Sequence, residues 1–238
     1  MDRPIVLAAA LLLAGCASSP QAALPPEPTD PAVLAKEEKE GFEPPRVLQT
    51  GDRWFVAVRP EEGRGPFAVR NRRVRSGDLV REEVTWGRTF EEVVALRHGT
   101  MQVTGLILDE RGLSIAPLDA AGNPAGDAPL EVALPLRPGH TWEVPVSPRS
   151  PRVTGLVERI EEVETPGGRV RALRVSQRAV AGEVRVSTIW YDRGLRPVRF
   201  EFRKSGALVE AHAALKSAEP TPEECRRAVE WASKNLVK

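Results

Sequence analysis

The chain has 238 residues, with 34 basic against 33 acidic side chains and a formal net charge of +1. That balance sets up no overall field to draw in nucleic acid or acidic substrates. Two cysteines and three scattered histidines cannot supply a closed structural zinc site, and the length allows one large domain or two small ones.

Arg3 and an apolar run from Ile5 to Leu13 open the chain in the layout of a secretory signal. The run is too short to span a bilayer, which takes about 20 residues. Leu13-Ala14-Gly15-Cys16 follows and resembles the lipobox of bacterial lipoproteins. The resemblance implies a signal peptide over 1–15, cleavage before Cys16, and acyl chains on the Cys16 sulfur and its new amino group. Two or three chains anchor a protein stably, since each buried methylene contributes about 0.8 kcal/mol. Ala17 and Ser18, with no Asp after the cysteine, imply the outer membrane of a two-membrane envelope, facing the periplasm. The alternative is a secreted protein cut near Ala17. With lipid on Cys16, Cys225 has no disulfide partner.

Residues 16–45 hold Pro20, Pro25, Pro26, Pro28, Pro31, Pro44 and Pro45 among small and charged residues. Such a segment buries too little apolar surface to offset its ordering entropy and reads as an extended tether. Within it, Asp30 to Glu40 could form a short charged helix.

Residues 46–238 read as a β-rich domain with a C-terminal helix. Short alternating runs are separated by turn signals such as Ser76-Gly77, Arg111-Gly112, Pro166-Gly167-Gly168, Arg193-Gly194 and Ser205-Gly206. With a three-residue loop at Asp192-Arg193-Gly194, Val184, Val186 and Thr188 face Phe202, Phe200 and Val198. Turning at Ser205-Gly206 then sets Val209, Ala211 and Ala213 against the same three residues, so one apolar face crosses three strands. Around Pro166-Gly167-Gly168, Glu158, Glu161, Glu162 and Glu164 meet Arg169, Arg171, Arg174 and Arg178 as a solvated face. At the end, Thr221-Pro222-Glu223-Glu224 opens a helix over 222–236 with a capping box. Cys225, Ala228, Val229, Ala232 and Leu236 form its apolar stripe.

Three stretches carry a further resemblance: Leu134-Pro135-Leu136-Arg137-Pro138-Gly139-His140-Thr141-Trp142, then Val163-Glu164-Thr165-Pro166-Gly167-Gly168, then Ile189-Trp190-Tyr191-Asp192-Arg193-Gly194-Leu195. They resemble a group of uncharacterised bacterial envelope proteins, similar in fold to the carriers that move lipoproteins across the periplasm. That implies a half-open antiparallel β-barrel with helices over an apolar cavity. Asp192-Arg193-Gly194-Leu195-Arg196-Pro197 departs from the group's "APGVG" turn. The group assigns no catalytic residue.

No sharper chemistry emerges. Gly112-Leu113-Ser114-Ile115-Ala116 loosely resembles a hydrolase elbow, but Pro117 follows at once, so Ser114 reads as a strand serine. His98, His140 and His212 lack metal-ligand spacing, and Glu82-Glu83 and Glu91-Glu92 would point to opposite faces of strands. Arg64, Arg70, Arg72, Arg73 and Arg75 form a basic run that could meet anionic headgroups. It reads better as a wet hairpin balanced by Glu82, Glu83, Glu91 and Glu92. Trp54, Trp86, Trp142 and Trp190 are candidate ligand-binding residues if a curved sheet presents them to an open cavity.

The sequence therefore points to a mainly β protein, a curved antiparallel sheet or incomplete β-barrel with a C-terminal α-helix, tethered through Cys16. The expected function is non-enzymatic binding of a lipid, acyl chain or lipoprotein on an apolar concave β-surface, without metal, cofactor or nucleic acid. The alternative is a structural or assembly factor that binds another envelope protein.

Overall fold

A computed structural model describes residues 29–63, 65–77, 79–95, 101–126, 128–144, 153–180, 183–215 and 219–236. It has twelve strands: β1 (Gly51–Val58), β2 (Phe67–Ser76), β3 (Leu79–Gly87), β4 (Met101–Asp109), β5 (Gly112–Pro117), β6 (Leu130–Ala133), β7 (Thr141–Val144), β8 (Val153–Thr165), β9 (Gly168–Val180), β10 (Val184–Tyr191), β11 (Pro197–Lys204) and β12 (Ala207–Ala214). The helices are α1 (Pro31–Glu40), α2 (Phe90–Ala95) and α3 (Pro222–Asn235). All strands belong to one antiparallel sheet in the order β6-β5-β4-β3-β2-β1-β12-β11-β10-β9-β8-β7. The expected mainly β architecture with a C-terminal helix is the one found.

The sheet curls until its two edges meet. Leu106, Leu113 and Val132 on β4–β6 share one cluster with Val157, Ile160, Leu173, Val175 and Tyr191 on β8–β10, contacts that a flat sheet of this order could not make. No ladder joins β6 to β7 among the described residues. Side chains bridge the seam instead: the Trp142 indole donates to the Leu130 carbonyl at 3.2 Å, and the Gln177 amide to the Glu131 carbonyl at 2.8 Å. The barrel is nearly closed, and its interior is filled by its own side chains over most of its length.

β1 is buried on both faces. Phe55 and Ala57 point into the barrel with Val69, Val198 and Ala214. Trp54, Val56 and Val58 point outward beneath α2 and α3, with Ala211, Ala213, Cys225, Ala228 and Ala232. Small residues on both sides let α3 lie close to the sheet. Its N-terminus has the expected capping box, with Thr221 accepting from the Glu224 amide and Glu224 from the Thr221 amide.

Two expectations of local structure are corrected. The hairpin registers are displaced, by three residues between β10 and β11 and by one between β11 and β12: Phe200 pairs with Ile189 and His212, and Phe202 with Ser187 and Glu210. The β10–β11 loop is longer than three residues, with Tyr191 opposite Pro197, and bulges at Trp190/Tyr191 and Phe202/Arg203 change the parity. Ala211 and Ala213, expected beside Phe200 and Val198, pack under α3 on the opposite face. Glu91 and Glu92 lie on the short helix α2, not on a strand. Thr89 caps that helix by accepting from the Glu92 amide at 3.1 Å.

Candidate functional site

Where β1 ends and β2 begins, the barrel interior opens to solvent. A cavity of about 880 Å³ lies there, floored by Phe67 and Trp86, with Arg59, Glu62, Arg88 and Glu92 around it. Its size is in the range of small-molecule sites, roughly 300–1,000 Å³. Phe67 and Trp86 both stand on the inward face of their strands, paired through Val69 and Ala57. Gly87 makes room for the wall: a Cβ there would stand 2.6 Å from the Val93 side chain of α2.

One wall is held by a charged relay. His212 Nε2 lies 2.5 Å from Glu210 Oε1, and Arg59 Nε donates to Glu210 Oε2 at 3.0 Å. The Arg59 guanidinium also covers the Phe67 ring at 5.0 Å. Phe55, Phe67 and Phe200 surround the His212 ring, with centroids 5.4–6.3 Å away. Burial works to raise the Glu210 pKa, but the hydrogen bonds and charges of His212 and Arg59 prevail and hold it below the usual carboxylate range. The Arg59 guanidinium is correspondingly raised, chiefly by its bond to Glu210. The relay fixes Arg59 over Phe67 and keeps the floor of the mouth in place.

The opposite end of β1, on the order of 25 Å away at the usual strand rise, carries a buried polar network. Asp192 accepts from Arg53 at 2.7 Å and from the amides of Gly194 and Arg196 at 2.9 and 3.0 Å. Arg196, 1% exposed, donates to the carbonyls of Thr50 and Gly51. Arg73 donates to Glu82 at 2.8 Å and to the Leu195 carbonyl at 3.1 Å. Burial first, then repulsion from Arg53 and Arg73, lowers the Arg196 pKa to about 9. These contacts lock the β10–β11 turn and the chain before β1 onto the barrel end.

At the seam, the Tyr191 hydroxyl donates to Glu131 Oε1 at 3.1 Å. Burial raises the Glu131 pKa and, together with the nearby carboxylate, raises that of Tyr191. A carboxyl whose folded pKa lies above its unfolded one binds a proton more tightly when folded, so stability falls as pH rises through that window. Glu131→Gln is therefore expected to stabilise the protein relative to wild type at pH 8 and to lose that advantage at pH 4. Parallel thermal melts at the two pH values check this, and an advantage independent of pH would refute the sign.

The candidate residues read from the sequence do not gather at one place. Cys16 lies outside the described residues, as do Arg64 and His98. Trp86 floors the mouth, whereas Trp54 lies under α3 against Phe90 with ring centroids 6.1 Å apart. Trp142 fills the packed interior beside the seam. Trp190 is sandwiched by Arg174 and Arg199 and donates to Glu161 at 2.7 Å. Of the four, only Trp86 reaches the cavity. The basic run is also divided: Arg73 is buried inside, Arg70 covers Trp54 outside, and Arg75 reaches the Leu48 carbonyl. Ser114 is buried on β5 with no hydrogen-bond partner for its hydroxyl. His140 stacks on Trp142. Among the described residues no cluster of three metal-ligating side chains occurs, and no helix is long and apolar enough to cross a membrane. The sequence reading passed over Phe67 and gave His212 no role, because single aromatics in separate strands carry no spacing signal.

No protein-family model and no curated protein matches the chain. Two solved structures align over 73% of it and 96% of their own chains. One is a protein of Bacteroides fragilis described as exported and as having a YmcC-like fold, at 15% identity and a TM-score of 0.44. The other is described as a lipoprotein of Parabacteroides distasonis, at 11% identity and a TM-score of 0.34.

Proposed function

We propose that the protein is an envelope lipoprotein, anchored through acyl chains on Cys16 in the outer membrane and facing the periplasm, that binds a lipid, an acyl chain or a lipoprotein in the mouth of its barrel. The reading is non-enzymatic. The single observation that carries it is the aromatic floor of Phe67 and Trp86, where the apolar inner face of the sheet opens into a cavity of about 880 Å³. The concave surface expected from the sequence is reduced to this mouth, because side chains fill the rest. Burial of apolar ligand area there would drive binding at about 25 cal/mol per Å² before ordering costs.

The test is native mass spectrometry with lipid extraction on residues 17–238. A co-purifying or added acyl lipid is expected as a bound adduct. Trp86→Ala should weaken it by roughly 2 kcal/mol, more than tenfold, through loss of aromatic contact area. A clean unliganded mass that takes up no lipid would reject this function. The filled interior gives the second reading its support: a structural or assembly factor that presents the barrel to another envelope protein. Capture of a stoichiometric protein partner by lipid-free material would favour it.

A further inference from the structure

The segment from Asp30 to Phe42 forms an arm that lies on the barrel without belonging to its sheet. Its helix, α1, buries none of its own side chains. Ion pairs hold it instead: Glu37 meets Arg193 at 2.7 Å and Arg171 at 3.6 Å, and Glu38 meets Arg171 at 3.3 Å. Arg171 also donates to the Leu34 carbonyl at 3.1 Å. For Arg193, Glu37 is the one ion-pair partner among the described residues. The arm then turns inward at Gly41, whose φ is +83° and where a Cβ would lie 1.5 Å from the Leu136 carbonyl oxygen. Phe42 follows, 3% exposed in the interior cluster with Leu136, Leu195 and Tyr191, its ring under the Arg193 guanidinium at 5.2 Å.

The arm thus has the form of an amphiphile. Its carboxylates occupy two arginines at the rim, and an apolar ring fills the space below them. We infer that this end of the barrel is a binding site for an amphiphile with an anionic head and an acyl chain, and that the arm fills it as a displaceable stand-in. The inference rests on the lipid-binding reading above and names the ligand chemistry at a second place. The anionic head takes the position of Glu37 between Arg171 and Arg193, and the chain takes that of Phe42. Arm and ligand exclude one another. The side chains of Arg171, Arg193 and Glu37 are only 12–17% exposed and Phe42 is buried, so the exchange takes a ligand that replaces both the carboxylate and the apolar ring, not a bare anion.

The test uses residues 17–238, with dodecyl phosphate as probe and uncharged dodecyl maltoside as control, both below their micelle concentrations. Binding is read by titration calorimetry and arm release by trypsin cleavage after Lys36 and Lys39. Glu37→Gln loosens the arm and leaves the site intact, and it is expected to tighten dodecyl phosphate binding about fivefold without changing the maltoside. In the wild type, dodecyl phosphate should speed cleavage of the arm, whereas inorganic phosphate should not. Arg171→Gln combined with Arg193→Gln should remove the preference for the phosphate. An unchanged affinity in Glu37→Gln, or equal gains for both detergents, overturns the inference. Binding that is lost in Trp86→Ala but indifferent to Glu37, Arg171 and Arg193 also overturns it, while leaving the mouth as the binding site. Failure of every variant to take up any amphiphile removes both.

Discussion

Asp192→Ala is expected to destabilise the protein by about 3–5 kcal/mol, lowering the melting temperature by roughly 10–15 °C for a chain of this size. Asp192 is 4% exposed and holds three donors at once: the Arg53 guanidinium and the backbone amides of Gly194 and Arg196. Truncation leaves Arg53 as a buried cation with only the carbonyls of Arg196 and Pro197. It also orphans two amides in a buried turn, each costing about 1–3 kcal/mol if water cannot reach it. Asp192→Asn keeps an acceptor for the two amides and loses only the charge, so it should fall about midway between Ala and wild type. Thermal and urea unfolding of the three proteins check this. An alanine variant within 1 kcal/mol of wild type would show that the turn is not held as described.

Gly155→Ala is expected to cost about 3 kcal/mol, although it adds a single methyl to a strand. Gly155 on β8 pairs with Trp142 on β7, and a Cβ there would lie 2.1 Å from the indole ring. The ring cannot yield without leaving the interior, where it is 8% exposed and donates to Leu130 across the seam. Losing a large buried aromatic costs about 3–5 kcal/mol, and overpacking alone about 1–3. Trp142→Leu in the same chain should relieve much of the clash. The double variant should then be more stable than the sum of the two single changes, by at least about 1 kcal/mol. Strict additivity in a urea-denaturation cycle would mean that the two residues do not meet.

The sequence made the hairpins legible because their turns carry glycine at positions that need it. Pro166-Gly167-Gly168 sits at the tip of the β8–β9 pair, and Glu162 and Glu164 oppose Arg171 and Arg169 there. The α3 cap was legible for the same reason, since its signal is local. Register was not. It depended on two bulges and on β12 being covered on both faces, and neither leaves a mark in strict alternation. α2 escaped because six residues are too few to show a helical period. The tryptophans misled because a residue's face depends on that same parity: Trp54 and Phe55 are neighbours in sequence and belong to different cores. The departure from the envelope group's turn at Asp192 to Arg196 was visible, but its meaning lay in distant partners, Arg53, Thr50 and Gly51.

Among the described residues, every ladder in the sheet joins strands consecutive in the chain, except the one between β1 and β12. The molecule is therefore two six-stranded meanders whose outer members, β6 and β7, meet at the seam, and whose inner members must find each other across most of the chain. Local pairings close short loops at low entropic cost, while the pairing of Val56 with Ala213 closes a very long one. Each meander can assemble as the chain emerges during synthesis, but neither can bury Trp54 and Val56 until β12 and α3 have arrived. The outer face of β1 stays an open apolar surface through most of the protein's biogenesis. A chain exported before folding would carry that surface across the membrane, and a chaperone that shields it would have its greatest effect before α3 docks.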